Sequence, residues 1–169
     1  METTIKFAKV RPTAIIPTKR NEDAGFDIYA NFDEPFILIA PHETVMIPTG
    51  IAFACGDDYC LILKERGSTG TKGMAQRCGV VDSGYRNEIF VPITNTTNGY
   101  IAIVKSGDTR ADVFGSIPMT DIKFYPYEKA IAQILIVPVP KVTVEEITYE
   151  ELQAIPSDRG EGKLGSSGK

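Results

Sequence analysis

The chain contains no tryptophan, a single histidine and only three cysteines. His42 follows Pro41 in a turn and is expected to be exposed and inert, so catalysis built on a histidine acid or base is excluded. Cys55, Cys60 and Cys78 are odd in number and show no paired spacing. That argues for a reducing compartment and against a disulfide framework. "CGDDYC" at 55–60 lacks a second ligand pair and reads as a hairpin turn, not a metal site. Cys78 is expected as a small core side chain. Long apolar runs are missing too. The best candidate, "IAQILIVPV", is too short to cross a membrane and carries Gln133. "METTIKFAKV" has neither the basic start nor the small-residue cleavage site of a secretory signal. There is no basic excess: the formal charge of -4 argues against nonspecific nucleic-acid binding, though not against a small anionic ligand. "KSGDT" at 105–109 lacks the glycine spacing of a P-loop. No stretch supports a long amphipathic helix; the best short one is Thr69–Ala75, weakened by its glycines.

What is present is β-forming sequence. The 169 residues, 43% hydrophobic, suffice for one domain with a sizeable core. "TIKFAKV", "FDIYA", "FILI", "TVMIPTGIAFAC", "YCLILK", "NEIFVPIT", "YIAIVK", "IKFYPY", "AIAQILIVPV" and "VTVEEI" all read as strands. Turn formers separate them at Asn31–Glu34, Ala40–Pro41, Gly56–Asp58, Asn95–Gly99 and Ser106–Gly107. Some runs alternate and others are wholly apolar, which predicts an all-β double-sheet roll or barrel.

Charge and glycine interrupt this pattern in "DAGFDIYA" at 23–30, "KERGSTGTKG" at 64–73 and "GVVDSGYRNEI" at 79–89. Gln133 is a lone amide in an apolar strand: either it is a core amide bonded to a neighbouring strand, or it points from a strand end into a site. The glycine-rich end, "DRGEGKLGSSGK", cannot build a core, but its N–H groups, Arg159, Ser166 and Ser167 are phosphate donors. Arg66, Lys72, Arg159 and Lys163 lie in glycine-rich segments of an acidic chain, and Asp23, Asp27 and Asp82 lie in similar ones. Cations with carboxylates suggest a polyphosphate and its divalent metal.

Five of these places, in order, resemble the five motifs of the trimeric dUTP pyrophosphatase (dUTPase) family: "DAGFD", "ERGSTGTKG", "GVVDSGYRNEI", "AIAQ" followed by "VP", and "RGEGKLGSSG". "IPTGI" at 47–51 resembles the family's framework. The resemblance implies a distorted jelly roll or β-barrel, assembled as a homotrimer with three shared sites and a flexible C-terminal arm that closes over a neighbour's nucleotide. Residues 1–157 would be the β domain, with 96–119 as an inserted hairpin, and 158–169 the arm. The implied enzyme is a cytoplasmic, Mg²⁺-dependent dUTP diphosphatase that forms dUMP and pyrophosphate, with no membrane or stable nucleic-acid partner. Asp82 matches the carboxylate that activates water at the α-phosphorus. Tyr85 matches the aromatic under the deoxyribose, leaving no room for a 2′-hydroxyl. Asp27 matches the acidic residue near the metal, acting through water. Arg66, Gln133, Arg159, Ser166 and Ser167 match phosphate contacts, and Gly67, Ser68, Lys163 and Gly165 lie in the same substrate-binding segments. Gln76 and Gly79 fall in the uracil-reading hairpin, which would span about 76–89 and select the base mostly through backbone groups.

Five positions depart from the family pattern. Gly67 stands where a serine usually follows the arginine, with Ser68 next. Gln76 replaces an asparagine, Asn87 a glycine, Lys163 a glycine, and Leu164 the aromatic that caps the base. Two rivals share the scaffold. A dCTP deaminase would need a glutamate ten residues beyond Asp82, where this chain has Pro92. A catalytically inactive binding protein of the same fold would not need Asp82, Tyr85 and the tail together.

Overall fold

The structure, a computed structural model, describes residues 4–106, 114–115, 117–158, 160 and 162. Short strands dominate because β-branched and aromatic runs are repeatedly cut by turn formers. In chain order they are β1 Lys6–Lys9, β2 Phe26–Ile28, β3 Phe36–Ile39, β4 Thr44–Pro48, β5 Ile51–Ala54 and β6 Tyr59–Lys64. They continue as β7 Met74–Gln76, β8 Val80–Val81, β9 Phe90–Asn95, β10 Tyr100–Val104, β11 Ile122–Pro126 and β12 Ala132–Pro138. Two helices, α1 Gly67–Gly70 and α2 Tyr149–Ala154, and a 3-10 turn at Met119–Asp121 complete the described elements.

The strands form four small sheets, in the orders β1-β5, β11-β10-β3, β2-β12-β6-β8 and β4-β9-β7. All pairings between these strands are antiparallel except β10 with β11. This is an all-β, multi-sheet, jelly-roll-like architecture. The inward residues of several sheets meet in one core that includes Ile28, Ile39, Ile47, Ile51, Leu61, Leu63, Ile93 and Ile134. "TVMIPTGIAFAC" splits into β4 and β5 because Gly50 takes φ +65°, where a Cβ would lie 2.8 Å from the Ala14 Cβ. Asn95 is fully buried. Its amide donates to the Ile39, Ala40 and Gly99 carbonyls, and its Oδ1 accepts from Thr97, so it joins β3, β9 and the start of β10 without leaving an unmet polar atom.

Several sequence expectations are corrected. The short helix lies at Gly67–Gly70, earlier than 69–75, because the Thr69 hydroxyl takes the Arg66 N–H and closes the turn there. Met74–Gln76 is instead a strand paired with β9. "VTVEEI" forms no strand; among the described residues, 142–147 find no ladder and lie exposed. Within the stretch 96–119, part of which lies outside the described residues, Tyr100–Val104 is a central strand. Both edges of β10 are taken by β3 and β11, which lie outside that stretch. Cys78 is exposed and adopts φ +49°, not a core position. His42 is exposed, as expected, with Nε2 3.2 Å from Asn98 Oδ1.

Candidate active site in two clefts

The first cleft, of about 660 Å³, opens where β2 and β12 meet the end of β6. Antiparallel register sets Gln133 opposite both Asp27 and Lys64. One strand position thus gathers residues from three distant stretches of sequence. The Arg66 guanidinium grips Asp27 with two prongs, Nε to Oδ1 at 2.8 Å and Nη2 to Oδ2 at 3.2 Å. Both side chains are about one third exposed, so the pair faces the cleft instead of being sealed in the core. Nη1 reaches the Ser68 hydroxyl and the Ala130 carbonyl. Gly67 faces open space, so packing does not demand a glycine there. Gln133 is half-buried, not a core amide. Its amide donates to the Glu65 carbonyl at 2.7 Å, and it lines the cleft. Gly25 is needed beside it, because a Cβ there would lie 2.5 Å from Gln133 Oε1.

The second cleft, of about 190 Å³, is more apolar and is lined by Met46, Cys78, Val80, Asp82, Tyr85 and Phe90 among others. Its floor is a tight turn. The Tyr85 N–H donates to the Asp82 carbonyl at 3.0 Å, and the Tyr85 hydroxyl donates to the Glu88 carbonyl at 2.9 Å. "IPTGI" seats this turn on the core. The Gly50 N–H donates to the Glu88 carboxylate, the Thr49 hydroxyl donates to the Ile89 carbonyl, and the Ile89 N–H donates to the Ile51 carbonyl. The turn backbone that carries Tyr85 and Asp82 is therefore fixed to the core although both side chains are exposed.

The stretch 76–89 is not a two-stranded hairpin. Gln76 pairs outward with Ile93, while Val80 and Val81 pair with Ile62 and Leu61. Gly79 makes this crossing possible: it lies against β6, where a Cβ would meet the Leu63 carbonyl oxygen at 2.6 Å. The Gln76 backbone N–H is held by the Glu65 carboxylate, and its side-chain amide folds back onto the Arg77 carbonyl. Glu65 thus holds both Gln133, in the first cleft, and the start of the 76–89 stretch. Its carboxyl is held below the usual range chiefly by its own backbone N–H, against burial, which pushes it up; the Gln76 N–H and Lys64 add to the lowering.

The clefts share no residue. Asp82 follows Val81, the partner of Leu61, so it lies level with Cys60, and Arg66 lies well beyond the other end of β6. At about 3.3 Å per residue the two are on the order of 15–20 Å apart.

Among the described residues, no group of three or more His, Cys, Asp or Glu could hold a metal ion by itself. The carboxylates of the first cleft, Asp23 and Asp27, already accept from Arg20 and Arg66. Such a donor set does not cage an ion. It fits one that arrives coordinated by phosphate oxygens and water. Sequence reasoning named Asp23 only as part of a charge pattern and passed over Thr18, Lys19 and Arg20, all of which line the first cleft. The basic pair ahead of "DAGFD" was the available signal. Arg159, Lys163, Leu164, Gly165, Ser166 and Ser167 lie outside the described residues.

A family model described as dUTPase matches residues 11–111. The chain is 32% identical over 169 residues to the deoxyuridine 5′-triphosphate nucleotidohydrolase of Nautilia profundicola, covering 98% of this chain and 99% of that one. It is 34% identical over 151 residues to the enzyme of the same description from Wolbachia pipientis, covering 88% and 82%. Among solved structures, the Staphylococcus bacteriophage 80alpha dUTPase with dUPNHPP superposes with a TM-score of 0.74 at 22% identity, covering 98% of this chain and 99% of that one. The EIAV dUTPase superposes with a TM-score of 0.63, covering 86% and 98%.

Proposed function

The chain belongs to the dUTPase family, and on that premise we propose that it hydrolyses dUTP to dUMP and pyrophosphate in sites assembled from three copies of itself. The separation of the clefts carries this reading. The phosphorus attacked by water is bonded through one oxygen to the sugar and through another to the next phosphate. The residue that activates the water must therefore neighbour those that hold the phosphates. Asp82 and Arg66 of one chain are too far apart for that. A second copy that brings its Asp82 cleft to the Arg66 cleft of the first completes one site, and threefold symmetry makes three equal sites without leaving a half unused.

We assign the base and sugar to the Tyr85 cleft. Its apolar wall suits a flat ring, and the rigid tyrosine face suits a deoxyribose with no 2′-hydroxyl. Asp82 orients a water and accepts its proton as that water attacks the α-phosphorus, and pyrophosphate departs toward Arg66, Ser68 and Gln133. A carboxylate is a modest base at neutral pH, so position contributes much of the effect. Asp27 has two roles in this scheme. It fixes the Arg66 fork, and it would receive a phosphate-borne Mg²⁺ through water. When bound, the ion neutralises phosphate charge. The glycine-rich tail, with Arg159, Lys163, Leu164, Gly165, Ser166 and Ser167, is assigned to closing a neighbour's site. Gln76 and Gly79 are assigned to the backbone that reads uracil. The deaminase reading is disfavoured by Pro92, which sits in β9 opposite Met46 and has no proton to move.

Two assays test the proposal. Phosphate release coupled to an inorganic pyrophosphatase should be rapid with dUTP and weak with dCTP and dTTP. R66A and D82N proteins should each be inactive alone and regain activity when unfolded and refolded together, because some mixed sites receive Asp82 from one chain and Arg66 from another. No recovery from a well-folded mixture would leave each site within a single chain.

A further inference from the structure

The first cleft has a charged rim that the hydrolysis described above does not use. Residues 18–27 form a closed loop: the Asp27 N–H donates to the Thr18 carbonyl at 2.8 Å, and the Asp23 N–H donates to the Arg20 carbonyl at 3.1 Å. Lys19 is spent on holding this loop. Its ammonium donates to the carbonyls of Arg20, Asn21 and Asp23 and lies 5.5 Å from the centre of the Phe26 ring. Arg66 is likewise engaged by Asp27. Arg20 is held differently. Its side chain is 88% exposed and, among the described residues, its guanidinium is bound at the surface by Asp23, with Nε to Oδ2 at 2.9 Å and Nη2 to Oδ1 at 3.0 Å. The loop backbone is fixed, while the arginine head has water on its free side.

A triphosphate carries several negative charges, and this cleft offers three cations against two carboxylates. Lys19 is committed to the loop and Arg66 is already assigned to the departing pyrophosphate, so Arg20, the most exposed of the three, is the cation still without a role. We propose that Arg20 is a phosphate-binding residue that leaves Asp23 for the phosphates beyond the scissile one. The same two-pronged geometry that fits a carboxylate fits a phosphate, so the exchange needs a side-chain swing and no backbone rearrangement. Asp23 keeps the arginine extended and ordered in the empty cleft. The site rests on the dUTPase reading for the identity of its substrate, but not for its affinity for phosphate.

The experiment separates the two. Titration of magnesium tripolyphosphate, which has neither base nor sugar, into intact wild-type protein and into R20A and R20K is followed calorimetrically, with melting temperatures measured on the same samples. R20A should bind about tenfold or more weakly, the scale of one charge-assisted hydrogen-bonded contact. R20K, which keeps the charge and loses the fork, should fall between. With dUTP, R20A should raise KM by a similar factor, leave kcat within about threefold and leave dUMP inhibition unchanged. Equal tripolyphosphate affinity in wild type and R20A would overturn the proposal, as would an equal loss of dUMP binding. Failure of wild-type protein to cleave dUTP would instead overturn the reading of the reaction and leave the tripolyphosphate result standing.

Discussion

Asp82 lies exposed on a turn anchored by backbone bonds and by the Tyr85, Arg86 and Glu88 side chains, so its carboxylate can be altered while those anchors stay in place. D82N should keep nucleotide binding and lose at least about 100-fold in turnover, within the scale of acid–base contributions; near-normal turnover would remove Asp82 from the chemistry. Gly25 is a steric case. An added methyl meets the movable end of Gln133, so G25A should cost about 1–3 kcal/mol in stability and swing the amide off Glu65. Its kinetics should therefore approach those of Q133A in a protein that still melts cooperatively. Glu65 adds a pH dependence. A carboxyl depressed in the folded state contributes stability above the ordinary glutamate pKa of about 4.3, and that stability is lost as pH falls through the depressed value. Melting temperature should drop on acidification through this range, and E65Q should start lower at pH 7 and show a smaller drop.

At the level of elements, the sheet β11-β10-β3 carries its own small core on the side away from the main one. Phe114 is 4% exposed, its ring centre 4.7 Å from that of Phe36 and 5.6 Å from that of Phe124, beside Ala102, Val104 and Ile122. The described part of the 96–119 stretch is therefore packed. F114A should cost about 3–5 kcal/mol of stability while dUTP turnover stays within about twofold, since none of these residues lines either cleft. Measuring both quantities on one sample checks the separation. Helix α2 presents the opposite situation. Thr148 and Glu151 cap it reciprocally, yet it is six residues long and buries nothing. A helix that short is not stable in water by its own hydrogen bonds.

The whole molecule leaves its C-terminal stretch uncovered. Val139 and Lys141 are still tied to the Asp57–Asp58 turn, but beyond them Val142 is 77% and Val144 is 90% exposed. Leu152 and Ile155 follow, each more than half exposed. Apolar side chains in such a row favour burial against another surface, and the proposed trimer supplies one. Light scattering should give about three times 18.5 kDa. Removing 159–169 should preserve three chains per particle and the melting temperature while largely abolishing dUTP cleavage. Removing 139–169 should lower the number of chains per particle as well. A stable, fully active monomer would refute shared sites.

Most strands were legible because their information is local. "FILI" and "YCLILK" coincide with β3 and β6 residue for residue, since β-branched and aromatic runs between turn formers have few other outcomes. The motifs named candidate site residues, of which Asp27, Arg66, Gly67, Ser68 and Gln133 line one cleft and Asp82 and Tyr85 another, and "IPTGI" acquired its reason only in the fold, as the seat of the Asp82 turn. Three things needed the tertiary structure. Pairing register placed Gln133 between Asp27 and Lys64, and no local preference encodes a register. Close approach at Gly79 turned a supposed hairpin into a crossing between two sheets. The division of the site into two clefts followed from distance along β6, which depends on which strands pair. The sequence by itself determined which chemistry the chain carries, because side-chain type and order suffice for that. Where those side chains meet, and that one chain holds Asp82 and Arg66 in separate clefts, was decided by long-range pairing that only the folded molecule contains.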